Sequence, residues 1–121
     1  MIPLLHNCKN AYALWFKRYS DLGKAHRRTL GQRIDDLFID TIEAISVASF
    51  TPKADKLPAL RVAIRKLDTM KILLMILWEN KSLKNDHYLE LSIKLENIGK
   101  MLGGWHNKIL KPDAPKLDFG A

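Results

Sequence analysis

Cysteine is nearly missing: Cys8 is the one thiol in 121 residues. A lone cysteine rules out an intramolecular disulfide and a cysteine-built zinc site, and it suits a reducing, cytoplasmic setting. Glycine and proline are scarce too, six and five respectively, and most fall between or beyond periodic segments. That excludes collagen-like and low-complexity chains. Long apolar runs are absent. The longest, Ile72 to Trp78, falls far short of the roughly 20 residues that span a bilayer, so no membrane partner is expected. The opening residues, MIPLLHNCKN, lack the basic and apolar regions of a signal peptide. No segment suggests a strand, and no internal repeat is visible.

Catalytic and metal motifs are missing as well. Di-metal helical bundles use Glu-x-x-His pairs on two helices. The glutamates here, Glu43, Glu79, Glu90 and Glu96, have no histidine three residues on, and the nearest pattern is the reversed His87-x-x-Glu90. Helical ribonucleases of the HEPN type place a histidine four to six residues after an arginine, whereas seven residues separate Arg18 from His26. There is no Walker loop, no GxGxxG and no nucleophile elbow. Cys8 lies on an apolar stripe and reads as a buried structural thiol. His6, His26, His87 and His106 lie near segment ends, where surface positions are the default. The expectation is a protein that is not an enzyme and carries no cofactor and no metal.

What is present is helical periodicity. With 47% apolar and 27% charged residues, the chain has an ordinary globular balance and enough length for one domain with its own core. Four segments recur at spacings of three and four. The first, about Cys8 to Leu22, carries Cys8, Tyr12, Trp15, Tyr19 and Leu22 on one stripe, with Gly23 as a stop. The second, about Ala25 to Ala48, buries Leu30, Ile34, Leu37, Phe38, Thr41, Ile42 and Ile45 and breaks at Thr51-Pro52. The third, about Asp55 to Glu79, has Pro58 in its first turn and buries Leu60, Ala63, Ile64, Leu67, Met70, Leu74 and Leu77. Its second half is apolar all round and should be covered on every side, which suggests a subunit interface. The fourth starts near Asn85 as an N-cap and runs Tyr88, Leu91, Leu95, Ile98, Leu102, Trp105. Gly99 and Gly103, four apart, admit two readings: close approach of a neighbouring helix, or a stop at Gly103-Gly104. Short connections favour antiparallel neighbours. The fold expected is an all-α, up-down-up-down four-helix bundle over residues 1–110, followed by an extended or mobile tail over 111–121.

The charge is one-sided: 20 Lys and Arg against 13 Asp and Glu, a net of +7. That favours an anionic partner, with nucleic acid first and an acidic protein surface or membrane after it, although charge for solubility alone is the plainer reading. Three basic clusters stand out. His26, Arg27, Arg28 and Arg33 open the second helix, where positive charge opposes the helix dipole and a phosphate would offset it. Arg61, Arg65, Lys66 and Lys71 lie on the third. The Arg61 and Arg65 charges repel at i,i+4 unless neutralised, by Asp68 within the helix or by a phosphate. Lys81 and Lys84 read as a solvated turn. The pattern suits sequence-independent contact to a nucleic-acid backbone, RNA or DNA. The tryptophans and tyrosines mostly fall on apolar stripes rather than forming a stacking platform.

Several strings carry a family resemblance. They are RTLGQRI at 28–34, KLPALR at 56–61, KLDTMK at 66–71 and LENIGKMLGGW at 95–105, together with Trp15. From Trp15 to Trp105 the chain resembles the accessory variability determinant (Avd) family, small four-helix-bundle proteins of diversity-generating retroelements. The resemblance implies a pentameric barrel with a basic surface that binds RNA and the element's reverse transcriptase. It implies a non-catalytic role in template-primed, error-prone cDNA synthesis that diversifies a target gene. By position, Arg28, Arg33, Arg61, Arg65 and Lys71 fall in the family's basic stretches, and the candidate contact set is Arg27, Arg28, Arg33, Arg61, Arg65, Lys66 and Lys71. The chain departs from the family pattern at Met75, where a basic residue is expected, and at Lys71, where Arg is expected and its bidentate geometry is lost. The runner-up is the related group encoded in 23S ribosomal RNA intervening sequences, the same bundle without a polymerase partner.

Overall fold

A computed structural model describes residues 2–111; the expected tail, apart from Lys111, lies outside the described residues. Four long helices account for most of the described chain: α1 (Ile2–Tyr19), α2 (Gln32–Phe50), α3 (Leu57–Glu79) and α4 (Asn85–Leu110). Among the described residues there is no strand, and no helix is long and apolar enough to cross a membrane.

Each helix buries the stripe its sequence supplies. In α1 the stripe is Leu4, Cys8, Ala11 and Trp15. The helix therefore starts at Ile2 rather than Cys8, because Leu4 extends the spacing backwards and Pro3 is tolerated in a first turn. It stops at Tyr19, and Leu22 is buried from the turn that follows. The second segment is helical from Lys24 but not uniformly so. A turn at Lys24–His26 leads into a π-helical stretch, Arg27–Gly31, before regular α2 begins. Within α2, Ile34, Leu37, Phe38, Thr41 and Ile45 are buried as expected; Thr41 satisfies its hydroxyl by donating to the Leu37 carbonyl at 2.7 Å. A 3-10 turn at Lys53–Asp55 precedes α3, and α3 buries Leu60, Ala63, Leu67, Met70, Leu74 and Leu77.

Two expectations for α4 need correction. Asn85 is not its N-cap: Lys84 holds that position without a side-chain cap, and the Asn85 Oδ1 accepts from Trp78 Nε1 at 2.7 Å instead. Nor does Gly103-Gly104 end the helix, which continues to Leu110. Of the two glycine readings, close approach holds at Gly99 only. A Cβ there would lie 3.1 Å from Lys71 Nζ and 3.5 Å from Leu67 Cδ2, whereas nothing comes within 4 Å of one at Gly103 or Gly104.

The helices are pinned by polar contacts around the core. Near the end of α1, Arg18 pairs with Glu90 near the start of α4 at 2.9 Å, and Asn7 donates to the Met101 sulfur at 3.1 Å. Tyr12 and Trp15 of α1 both donate to Asp35 Oδ1 of α2, at 2.9 and 3.2 Å. Trp15 is fully buried and stacks on Phe38, 6.2 Å between centroids. Asp40 of α2 pairs with Lys66 of α3 at 3.4 Å, and Lys71 of α3 with Glu96 of α4 at 2.8 Å. Trp78 lies flat on Tyr88 at 4.8 Å. In the single chain one face of α3's apolar half is open: Ile72, Met75 and Trp78 are exposed, as are Leu89 and Ile93 on α4.

Candidate nucleic-acid interface

The seven candidate cations do not form one surface. Lys66 and Lys71 are neutralised across helices, by Asp40 and Glu96. The Lys71 hydrogen bond, and then its charge, hold the Glu96 carboxyl below its ordinary range. Arg61 is exposed and its Nε donates a long hydrogen bond, 3.4 Å, to His106 Nε2. Arg33 and Arg65 are exposed and have no side-chain partner among the described residues. Asp68 therefore does not neutralise Arg65.

Arg27 and Arg28 are placed differently. With Lys24 and Tyr19 they line a cleft of about 590 Å³ that no acidic side chain among the described residues borders. The π-helical stretch sets their position. The Tyr19 hydroxyl donates to the Arg27 carbonyl at 2.6 Å, and Thr29 Oγ1 donates to the Ala25 carbonyl at 3.2 Å. A π turn closes its hydrogen bonds one residue later than an α turn and is often found at functional sites. Gly31 makes the turn possible. A Cβ there would lie 3.0 Å from Leu22 Cδ1, 3.1 Å from the His26 carbonyl oxygen and 3.1 Å from Tyr19 Cε1. The Nε of Arg27 is shielded from solvent and has no hydrogen-bond partner among the described residues. A shielded charged donor without an acceptor is costly to leave so; the exposed Lys24 and Arg28 side chains are the ones an anion in the cleft could meet.

The loop between α3 and α4 packs against this end. His26 Nδ1 is hydrogen-bonded to Ser82 Oγ. Gly23 lies directly beneath Ser82, leaving only 2.9 Å between the serine oxygen and a would-be Cβ. Lys81, the one non-glycine residue with positive φ (64°) among the described residues, turns the chain there. Its amide donates to the Trp78 carbonyl at 3.0 Å, and those of Ser82 and Leu83 donate to Leu77. The loop carrying Lys81 and Lys84 therefore abuts the one carrying Lys24, Arg27 and Arg28. Sequence spacing separated these clusters, and it treated Tyr19 as core although the ring edges the cleft. Lys24 was missed because one lysine beside a glycine carries no periodic signal.

Cys8 is buried in α1 and its thiol is pushed up to about 11 by burial. Among the described residues, no three His, Cys, Asp or Glu side chains converge to hold a metal. Comparison with models of protein families, with curated proteins and with solved structures gives no match to this chain.

Proposed function

We propose that this protein is a non-catalytic, cytoplasmic nucleic-acid-binding accessory protein of a retroelement reverse transcriptase. In this reading it holds RNA by its phosphates and meets the polymerase as a homo-oligomer, of five copies by the Avd resemblance. The observation that carries the RNA contact is the cleft of Lys24, Arg27 and Arg28, which no acidic side chain among the described residues borders. Phosphate contacts from Arg and Lys supply affinity that does not depend on sequence and that falls with salt. Arg33, Arg61 and Arg65 are exposed cations elsewhere on the bundle that add to its positive field, while Lys66 and Lys71 contribute less because Asp40 and Glu96 already hold them.

The bundle runs up-down-up-down in this reading. Contacts from Tyr12 to Phe38 and from Tyr19 to Arg27 pair rising numbers in α1 with falling numbers in α2 and the π-helical stretch before it. Lys71 with Glu96 and Trp78 with Tyr88 do the same for α3 and α4. Oligomerisation would cover Ile72, Met75, Leu89 and Ile93, which are unusually apolar for a solvated face.

The test is binding of a fluorescein-labelled RNA stem-loop, followed by anisotropy from low to high salt. The double variant Arg27→Glu, Arg28→Glu should weaken binding about tenfold or more. It should also flatten the dependence of log K on log salt, by about 0.7–0.9 for each phosphate that is no longer neutralised. Lys66→Glu should change both far less. Equal effects from the two variants would dismiss the cleft as the binding site, and no RNA binding at low salt would dismiss the function.

A further inference from the structure

The opposite end of the bundle carries a second cavity, of about 430 Å³, within the range of roughly 300–1,000 Å³ typical of ligand clefts. It is lined by Leu4, Met101, Trp105 and Ile109 together with Lys53, Lys56 and Lys108, and no acidic side chain among the described residues borders it. Its chemistry differs from that of the Arg27 cleft. Here an apolar floor lies under ammonium groups. Lys56 is committed: it donates to the Ala48 carbonyl at 2.6 Å and sits over the Trp105 ring, 5.7 Å from its centroid. Lys53 and Lys108 are exposed and have no acidic partner among the described residues. The helices that precede Lys53 and supply Ile109, α2 and α4, end in exposed apolar residues, Phe50 at 89% and Leu110 at 51%.

We infer that this cavity is a docking site for an acidic segment of a partner protein, one that inserts a leucine or phenylalanine between flanking Asp or Glu residues. Charge complementarity selects an anionic occupant, since the cations at the rim have no acids beside them among the described residues. The floor selects a peptide over a nucleotide. A base needs an open aromatic face to stack on, but one face of Trp105 already carries Lys56, and Leu4, Met101 and Ile109 are not flat. Tryptophan, methionine and aromatic side chains are common at the centres of protein interfaces. The 23 residues of α3 put this cavity about 35 Å from the Arg27 end at 1.5 Å per residue. One chain can hold RNA at one end and a protein segment at the other, and this site does not depend on the RNA reading.

The test uses the full-length, ¹⁵N-labelled protein and reads its tryptophan indole N–H resonances. The probe is a short synthetic peptide of glutamates around one phenylalanine and one leucine, with a lysine-for-glutamate version as control. The glutamate peptide should move the Trp105 resonance and leave those of Trp15 and Trp78 in place, and the lysine version should move none. Lys53→Glu with Lys108→Glu should weaken the peptide about tenfold, the effect of two rim charges worth several tenths of a kcal/mol or more each, while Arg27→Glu with Arg28→Glu should not. Failure of the glutamate peptide to move the Trp105 resonance would overturn the inference. So would movement driven by the RNA stem-loop in its place, which makes the cavity a nucleic-acid site. Movement with protein concentration alone would assign it to a second copy and overturn it equally.

Discussion

Replacing Asp35 by leucine should destabilise this protein more than any comparable change on the surface of α2. Two donors of α1 converge on its Oδ1, the Tyr12 hydroxyl at 2.9 Å and the Trp15 indole at 3.2 Å. They differ in what happens when the acceptor goes. Tyr12 is half-buried and can turn to water, so its loss is that of one exchanged hydrogen bond, about 1 kcal/mol. Trp15 is fully buried, and its orphaned N–H bears the desolvation penalty of about 1–3 kcal/mol. Leucine recovers up to about 0.5 kcal/mol through better helix propensity. The net expectation is a loss of about 2–3 kcal/mol, or roughly 10 °C in Tm for a domain of this size. Asp35→Asn keeps an acceptor and should lose about 1 kcal/mol or less. Urea unfolding followed by far-UV circular dichroism measures both. Combining Asp35→Leu with Trp15→Phe removes the orphaned donor, so the double variant should lose less than the sum of the single losses. A leucine variant as stable as the asparagine one, or strictly additive losses, would show that the indole hydrogen bond does not matter.

Three other outcomes are expected. Burial raises the Cys8 thiol from 9.0 to about 11, so the folded state favours the neutral thiol. Its contribution is whole below pH 9 and is lost as pH rises toward 11, at most about 2–3 kcal/mol; urea midpoints from pH 8 to 11 should fall less steeply in Cys8→Ala. Tyr12, raised by desolvation and then by the Asp35 hydrogen bond and charge, should add to the fall above pH 10. Gly31→Ala meets the His26 carbonyl and should lose about 1–2 kcal/mol net, whereas Gly104→Ala meets nothing within 4 Å and should gain about 1 kcal/mol; thermal melts separate the two. Ile72→Asp with Ile93→Asp should reduce the particle to a monomer in light scattering and leave the circular dichroism spectrum unchanged, if these residues meet another copy.

The buried stripes were legible because they repeat. Leu60 to Leu77 in α3 and Leu91 to Leu102 in α4 are fixed by period alone, and a core needs little else from a sequence. What escaped depends on partners distant in the chain. Asn85 has the composition of an N-cap, but Trp78 reaches it first. Gly103 and Gly104 look like a stop, yet the helix runs on because no competing capping contact forms and Ile109 still packs against the core. Lys66 and Lys71 look as free as Arg65 until Asp40 and Glu96 are brought to them from other helices. The candidate cleft was half legible. Arg27 and Arg28 are visible as charge, but nothing in RRTLG announces a π turn, because that turn is decided by Tyr19 and Leu22 pressing on Gly31.

That turn also separates two phases within one continuous helix. Residues 32–50 keep the angular bearing that the core demands, and residues 24–28 keep another, because the π stretch absorbs about one residue between them. Deleting a single residue there would restore an unbroken α-helix and swing everything before it through about 100°. Buried Leu22 and the His26–Ser82 contact would have to shift with it, and the arginines would face away from Tyr19. A length variant at 27–31 is therefore a rotary adjustment of the basic cleft, and its cost falls on buried Gly31 and Leu22 rather than on the apolar stripe of α2.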